Sequence, residues 1–273
     1  MRPVRLALLA VLVAAMALVG IPAQAAAGPY TALGDSYASG VGSREYYPDS
    51  GDCHRSPHAY PVLVGQSLGA PLTFAACSGA RVPDVLNQLG SLSASTAYVS
   101  VSVGGNDAGF ADVITQCALP WPWTCTTEIN NANNFIRNTL PGLLDDLYTR
   151  IGDRAPNARV AVVGYPRLFN GEECNPAARI SPAEQSSLNQ TADLLATTTA
   201  ARASAHGFAF VDVRSAFNGH AVCDDAEWIN GLSNPILESY HPKAVGQSSG
   251  YAPLVRAQLA SLAVDQQAPQ RTL

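Results

Sequence analysis

Five short apolar runs, separated by longer stretches with helical spacing, constrain this chain more than any other feature of it. The runs are residues 29–33, 71–76, 97–103, 159–164 and 208–212. A strand buried on both faces reads as one continuous apolar run rather than an alternation. Between the runs, residues 56–69 predict a helix, with Ser56 as cap and Pro57 in the first turn. Residues 82–89 carry Val82, Val85, Leu86 and Leu89 at helical spacing. Residues 127–154 are helical with a break or kink at Pro141. Ser181-Pro182-Ala183-Glu184 is a helix-start signature for a helix running to about residue 205, and a last helix spans residues 243–262. Strands alternating with helices imply a parallel sheet covered on both faces. Such sheets take their ligands beyond the carboxyl ends of the strands. Chemistry is therefore expected in Gly34-Asp35-Ser36, Cys77-Ser78-Gly79, Gly104-Gly105-Asn106-Asp107 and Tyr165-Pro166. The loop before the last helix adds Glu238-Ser239-Tyr240-His241.

The first 25 residues are an address. Arg2 and Arg5 precede an apolar stretch, and Ala23-Gln24-Ala25 has the small-x-small form of a cleavage site. The apolar stretch is shorter than the roughly 20 residues a bilayer span needs. Export with cleavage near Ala25 is expected, leaving residues 26–273 as a single domain. With 47% hydrophobic and 14% charged residues the chain is not a disordered one. A formal charge of −5, with Lys243 its one lysine, offers nucleic acid no basic surface.

Export makes disulfides the default for an even number of cysteines. Cys53, Cys77, Cys117, Cys125, Cys174 and Cys223 allow fifteen pairings, and spacing alone does not choose; sequential pairing closes the shortest loops. A metal site from Cys53, His54, His58 and Cys77 lacks the paired spacing of structural zinc.

Ser36 directly follows the first strand, flanked by small and turn-forming residues. A serine hydroxyl needs a base to become a nucleophile, and histidine is the usual one. Of five histidines, His54 and His58 lie in a Cys-rich loop, His206 at a helix end and His220 in a loop with no motif. His241 stands before the last helix with Glu238 three residues earlier, where a carboxylate can hold the ring's tautomer. An ordinary imidazole in that role predicts activity falling as pH drops through about 6–7. The N–H groups of Ser36 and Gly79 and the Asn106 side chain are candidate donors to an oxyanion. Gly34-Asp35-Ser36-Tyr37-Ala38 is not the G-x-S-x-G elbow of the α/β-hydrolase fold.

Gly34-Asp35-Ser36-Tyr37, Gly79, Gly104-Gly105-Asn106-Asp107 and Glu238-Ser239-Tyr240-His241 together resemble the four blocks of the GDSL, or SGNH, hydrolases. The similarity spans about residues 30–262 and is greatest to the secreted actinobacterial lipases and esterases. It implies a flavodoxin-like α/β/α sandwich on a five-stranded parallel sheet. It implies Ser36 as nucleophile, His241 as base, and an oxyanion hole from Ser36, Gly79 and Asn106. It also implies disulfides 53–77, 117–125 and 174–223 and no cofactor or metal. The family usually has Asp where this chain has Glu238, and some members use a backbone carbonyl instead; Glu238 is taken here as the third member. The expected protein is a monomeric, secreted ester hydrolase with at most transient contact with a lipid surface. A carbohydrate acetylesterase, a phospholipase and a non-catalytic binding module are the alternatives. Trp121 and Trp123, inside residues 117–125, either pack onto the sheet edge or face the acyl groove or the lipid.

Overall fold

The computed structural model describes residues 27–119 and 122–265. The leader segment, Trp121 and the tail beyond Asp265 lie outside them. Five parallel strands, β1 (Tyr30–Gly34), β2 (Leu72–Phe74), β3 (Tyr98–Ser102), β4 (Arg159–Val163) and β5 (Ala209–Val211), pair in the order β2-β1-β3-β4-β5. Alternate residues of each strand face opposite layers. Val99, Val101, Val160 and Val162 pack under α3 (Val82–Gln88), α6 (Leu140–Arg154) and α7 (Pro182–Ala205). Tyr30, Ala32, Ala161 and Val163 pack under α2 (Tyr60–Leu68) and α8 (Ala252–Asp265). The architecture is thus the expected three-layer α/β/α sandwich.

Local departures have local causes. Helix α2 starts at Tyr60 rather than Ser56, because the Ser56 hydroxyl accepts from His58 N at 3.0 Å and closes a turn before the helix. The stretch predicted as one kinked helix is two, α5 (Thr126–Asn138) and α6, which meet at Thr139, with Pro141 in the first turn of α6. Ahead of α8 lies a π-helical stretch, Gly246–Tyr251. The start of α7 forms as predicted: Ser181 Oγ accepts from Glu184 N, and Glu184 Oε2 accepts from Ser181 N at 3.0 Å. A cap of this kind contributes about 1 kcal/mol. Disulfides join Cys53–Cys77, Cys117–Cys125 and Cys174–Cys223. The first pair, being oxidised, leaves no thiolates for a metal. Neighbours β1 and β3 are where the strand order reverses, and that crevice is the place this topology offers a ligand.

Candidate active site

The end of β1 is built to present one hydroxyl. Gly34 has φ +130°, and a Cβ there would approach Ser102 O to 2.5 Å, so the chain turns at this point only with glycine. Asp35 is extended, and its carboxylate caps the single-turn helix α1 (Ser36–Ser39) by accepting from Tyr37 N at 3.0 Å. Ser36 is then the first residue of α1, where a backbone N–H has no intrahelical acceptor. Its Oγ lies 2.8 Å from His241 Nε2.

The other ring nitrogen fixes the tautomer. His241 Nδ1 lies 2.9 Å from the carbonyl oxygen of Ser239. A carbonyl only accepts, so Nδ1 carries the proton and Nε2 offers its lone pair to the Ser36 hydroxyl. Burial pushes the imidazole down to about 4, against a smaller upward effect of the Ser239 carbonyl.

Glu238 does not fill the place expected for it. The residue is 1% exposed; Oε1 accepts from the Tyr46 hydroxyl at 2.7 Å and Oε2 pairs with Arg44 Nε at 2.7 Å. The reason is the backbone between Glu238 and His241. Ile236–Glu238 is a 3-10 turn and Tyr240 has φ +60°, so the chain reverses and the ring meets the Ser239 carbonyl instead. Sequence reasoning held a backbone carbonyl as the alternative and preferred Glu238; it could not say which carbonyl, since a backbone group has no residue-type signature.

Two further loops close the crevice. Gly79 has φ +77°, a left-handed turn that suits glycine. The Asn106 amide donates to Ala80 O at 3.0 Å, and the Asp107 carboxylate accepts from Val82 N at 3.0 and 3.1 Å. The segment after β3 therefore holds the chain that leaves the Gly79 turn, at Ala80 and at Val82. A primary amide has two N–H bonds, so Asn106 keeps one for the crevice. Beneath this layer the Tyr165 hydroxyl donates to Asp35 Oδ2 at 2.5 Å, and Ser102 Oγ donates to Oδ1 at 3.2 Å. Burial outweighs these bonds and raises the Asp35 carboxyl to about 6. Sequence reasoning had placed Tyr165-Pro166 among the strand ends where chemistry is expected, without giving Tyr165 a role.

Ser36, Gly79, Asn106 and His241 line one cavity of about 620 Å3. Its body is apolar, formed by Val113 and Ile114 of α4 (Phe110–Cys117), Ala132 and Ile136 of α5, and Leu188 and Leu195 of α7. Leu119, Leu232, Ile236 and Leu237 line it and are also exposed, Ile236 at 70%. Trp123 is 63% exposed and so does not pack onto the sheet.

A hydroxyl–imidazole pair at the switch point of such a sheet, facing an apolar cavity, belongs to the hydrolases of carboxylic esters. Residues 32–248 match the GDSL-like lipase/acylhydrolase family, and the chain belongs to it. It is 48% identical to Lipase 1 of Streptomyces coelicolor over 90% of this chain and 94% of that one. Among solved structures it is similar to phospholipase A1 from Streptomyces albidoflavus, with 45% identity and a TM-score of 0.82. It is also similar to the extracellular lipase from Streptomyces rimosus, with 44% identity and a TM-score of 0.81. In both cases the match covers 85% of this chain and all of the other. The protein is a GDSL lipase/esterase.

Proposed function

We propose that Ser36 and His241 form the reacting pair of a long-chain ester hydrolase. The Ser36 oxygen attacks the ester carbonyl while His241 Nε2 takes its proton. The tetrahedral oxyanion is received by the N–H groups of Ser36 and Gly79 and the free N–H of Asn106. Collapse expels the alcohol, whose oxygen takes the proton back from His241. Water, deprotonated by the same ring, then attacks the acyl-Ser36 carbonyl, and collapse returns that proton from His241 Nε2 to the departing Ser36 oxygen as the acid is released. The Ser239 carbonyl, not Glu238, orients the imidazole. The 2.8 Å contact between Ser36 Oγ and His241 Nε2 carries this reading.

The cavity argues for a long acyl chain over acetate, because an acetyl group leaves most of its 620 Å3 unfilled. Each buried methylene contributes about 0.8 kcal/mol, roughly a fourfold gain in kcat/KM. On aryl esters kcat/KM is expected to climb severalfold per methylene from acetate to at least octanoate. A preference for acetate would favour the acetylesterase alternative. The phospholipase A1 relative supports phospholipids as a second substrate class, which a panel of triglyceride, phospholipid and acetylated sugar tests.

The exposed apolar rim of Leu232, Ile236 and Leu237, with Trp123 nearby in sequence to Leu119, suits brief contact with a lipid surface. The leader and the extracellular S. rimosus relative support export with cleavage near Ala25. All groups of the proposed site come from one chain, which suits a monomer.

The pH dependence follows from burial of the base. Only the neutral ring accepts the serine proton, so activity is lost as pH falls through the pKa of the folded protein. With His241 near 4, kcat/KM on a soluble short ester should hold from pH 8 to about 5 and halve near 4, rather than at the 6–7 of an ordinary imidazole. Asp35, near 6, adds at most a shallow inflection that Asp35→Asn removes. A main midpoint above 6 in the Asp35→Asn protein, shown folded by circular dichroism, would contradict the buried base.

A further inference from the structure

The proposed pair is held together by a device on the far side of the histidine loop. Glu238 is buried, yet residues of the loop that follows α1 meet both of its carboxylate oxygens: the Tyr46 hydroxyl donates to Oε1 at 2.7 Å, and Arg44 Nε stands 2.7 Å from Oε2 as an ion pair without hydrogen-bond alignment. The same arginine donates from Nη1 to Asn234 O at 2.7 Å, and the Tyr46 hydroxyl accepts from Gly42 N at 3.1 Å. One carboxylate thus joins residues 42–46, just after the nucleophile, to residues 234–238, just before the base.

Backbone conformation shows what this junction holds. Among the described residues four non-glycines have positive φ: Arg44, His54, Cys223 and Tyr240. Two of the four belong to this assembly. Arg44 (φ +68°) is in the clamp itself, and Tyr240 (φ +60°) lies between the Ser239 carbonyl and the His241 ring. Left-handed backbone is unfavourable for residues with a Cβ and persists only where surrounding contacts impose it. At Tyr240 those contacts are Tyr37 OH donating to Tyr240 O at 2.7 Å and Tyr240 N donating to Asn230 O at 2.9 Å. Glu238 fixes the turn two residues upstream. Without the left-handed residue the Ser239 carbonyl would not face Nδ1.

We infer that Glu238, through Arg44 and Tyr46, is a positioning residue that holds the Ser239 carbonyl against His241 Nδ1 and the ring against Ser36. This rests on His241 being the base. Glu238 touches neither the ring nor the substrate space; it acts through the loop it anchors.

The test is steady-state kinetics on a soluble butyrate ester, with active sites counted by covalent labelling with an aryl phosphonate. Glu238→Gln keeps the shape but puts an amide N–H against the Arg44 donor or the Tyr46 hydroxyl. It should lower kcat about 10- to 100-fold with KM within about twofold, since a small misalignment of reacting groups has that scale of effect. Tyr46→Phe removes one hydrogen bond to the same carboxylate and should give a smaller loss of the same kind. The double variant should be no slower than Glu238→Gln alone, because the residues act as one unit. The Nδ1 proton resonance of His241 should shift or broaden in both single variants. A folded Glu238→Gln protein with wild-type kcat and an unchanged Nδ1 resonance overturns the inference, as do additive losses in the double variant. Should Glu238→Gln not fold, Tyr46→Phe alone decides on the same two readouts. His241→Ala separates the two levels: if it retains turnover, the underlying assignment of the base fails. If it is inactive while Glu238→Gln is normal, only the positioning role fails.

Discussion

Ser36→Ala should leave no acyl-enzyme detectable by intact mass and reduce turnover roughly 10⁵-fold or more; His241→Ala should fall nearly as far. The two losses should not add. In the proposed mechanism the serine, 2.8 Å from Nε2, is a nucleophile only while the ring is there to take its proton, and the ring does nothing useful without the serine. The double variant should therefore retain about the same residual rate as either single one, sustained by the oxyanion donors and binding alone. Both side chains are largely buried but make few other contacts through their reacting atoms. Thermal midpoints should accordingly stay close to that of the parent, which separates a chemical loss from a folding one. Near-parental turnover in a folded Ser36→Ala protein would remove the serine mechanism from this site.

The second large effect is expected at Asn106. Its amide has one N–H on Ala80 O at 3.0 Å and a second for the crevice. Charge grows on the ester oxygen only in the transition state, so the second N–H should act on kcat and spare KM. Asn106→Ala should cost about 10²–10³ in kcat. Asn106→Asp should cost more, because it sets an acceptor where a donor is needed and loses the bond that holds Ala80 and the Gly79 turn. Rapid-mixing kinetics on an activated ester would measure both. A loss below tenfold in Asn106→Ala would take this side chain out of the oxyanion hole.

How legible the protein was differs from element to element. The strands stood out because a parallel sheet is buried on both faces, which gives the apolar run at 160–163; at 98–102 buried Ser100 and Ser102 alternate with the valines, and the flanking turn residues marked the strand instead. Helix α7 was visible because its capping box is made by residues three apart. The start of α2 was missed because a serine that closes a turn and one that caps a helix look alike in sequence. The break at Thr139 was placed too late because proline is as acceptable in the first turn of a new helix as it is disruptive inside an old one.

The site divides along the same line. Sequence by itself determined which residue types stand at the strand ends, because the chemistry of ester cleavage needs a hydroxyl, an imidazole and an amide. Gly34 and Gly79 were equally readable, since the backbone there takes conformations that suit glycine. What only the tertiary structure decided is the partner of His241 Nδ1. A carboxylate three residues before a histidine looks like its orienting acid. Yet a left-handed Tyr240, imposed by Tyr37 and Asn230 from distant parts of the chain, turns the ring to a backbone carbonyl and leaves Glu238 to Arg44 and Tyr46. Every residue has a backbone carbonyl whatever its side chain; which carbonyl meets a ring depends on the path of the backbone, and long-range contacts set that path.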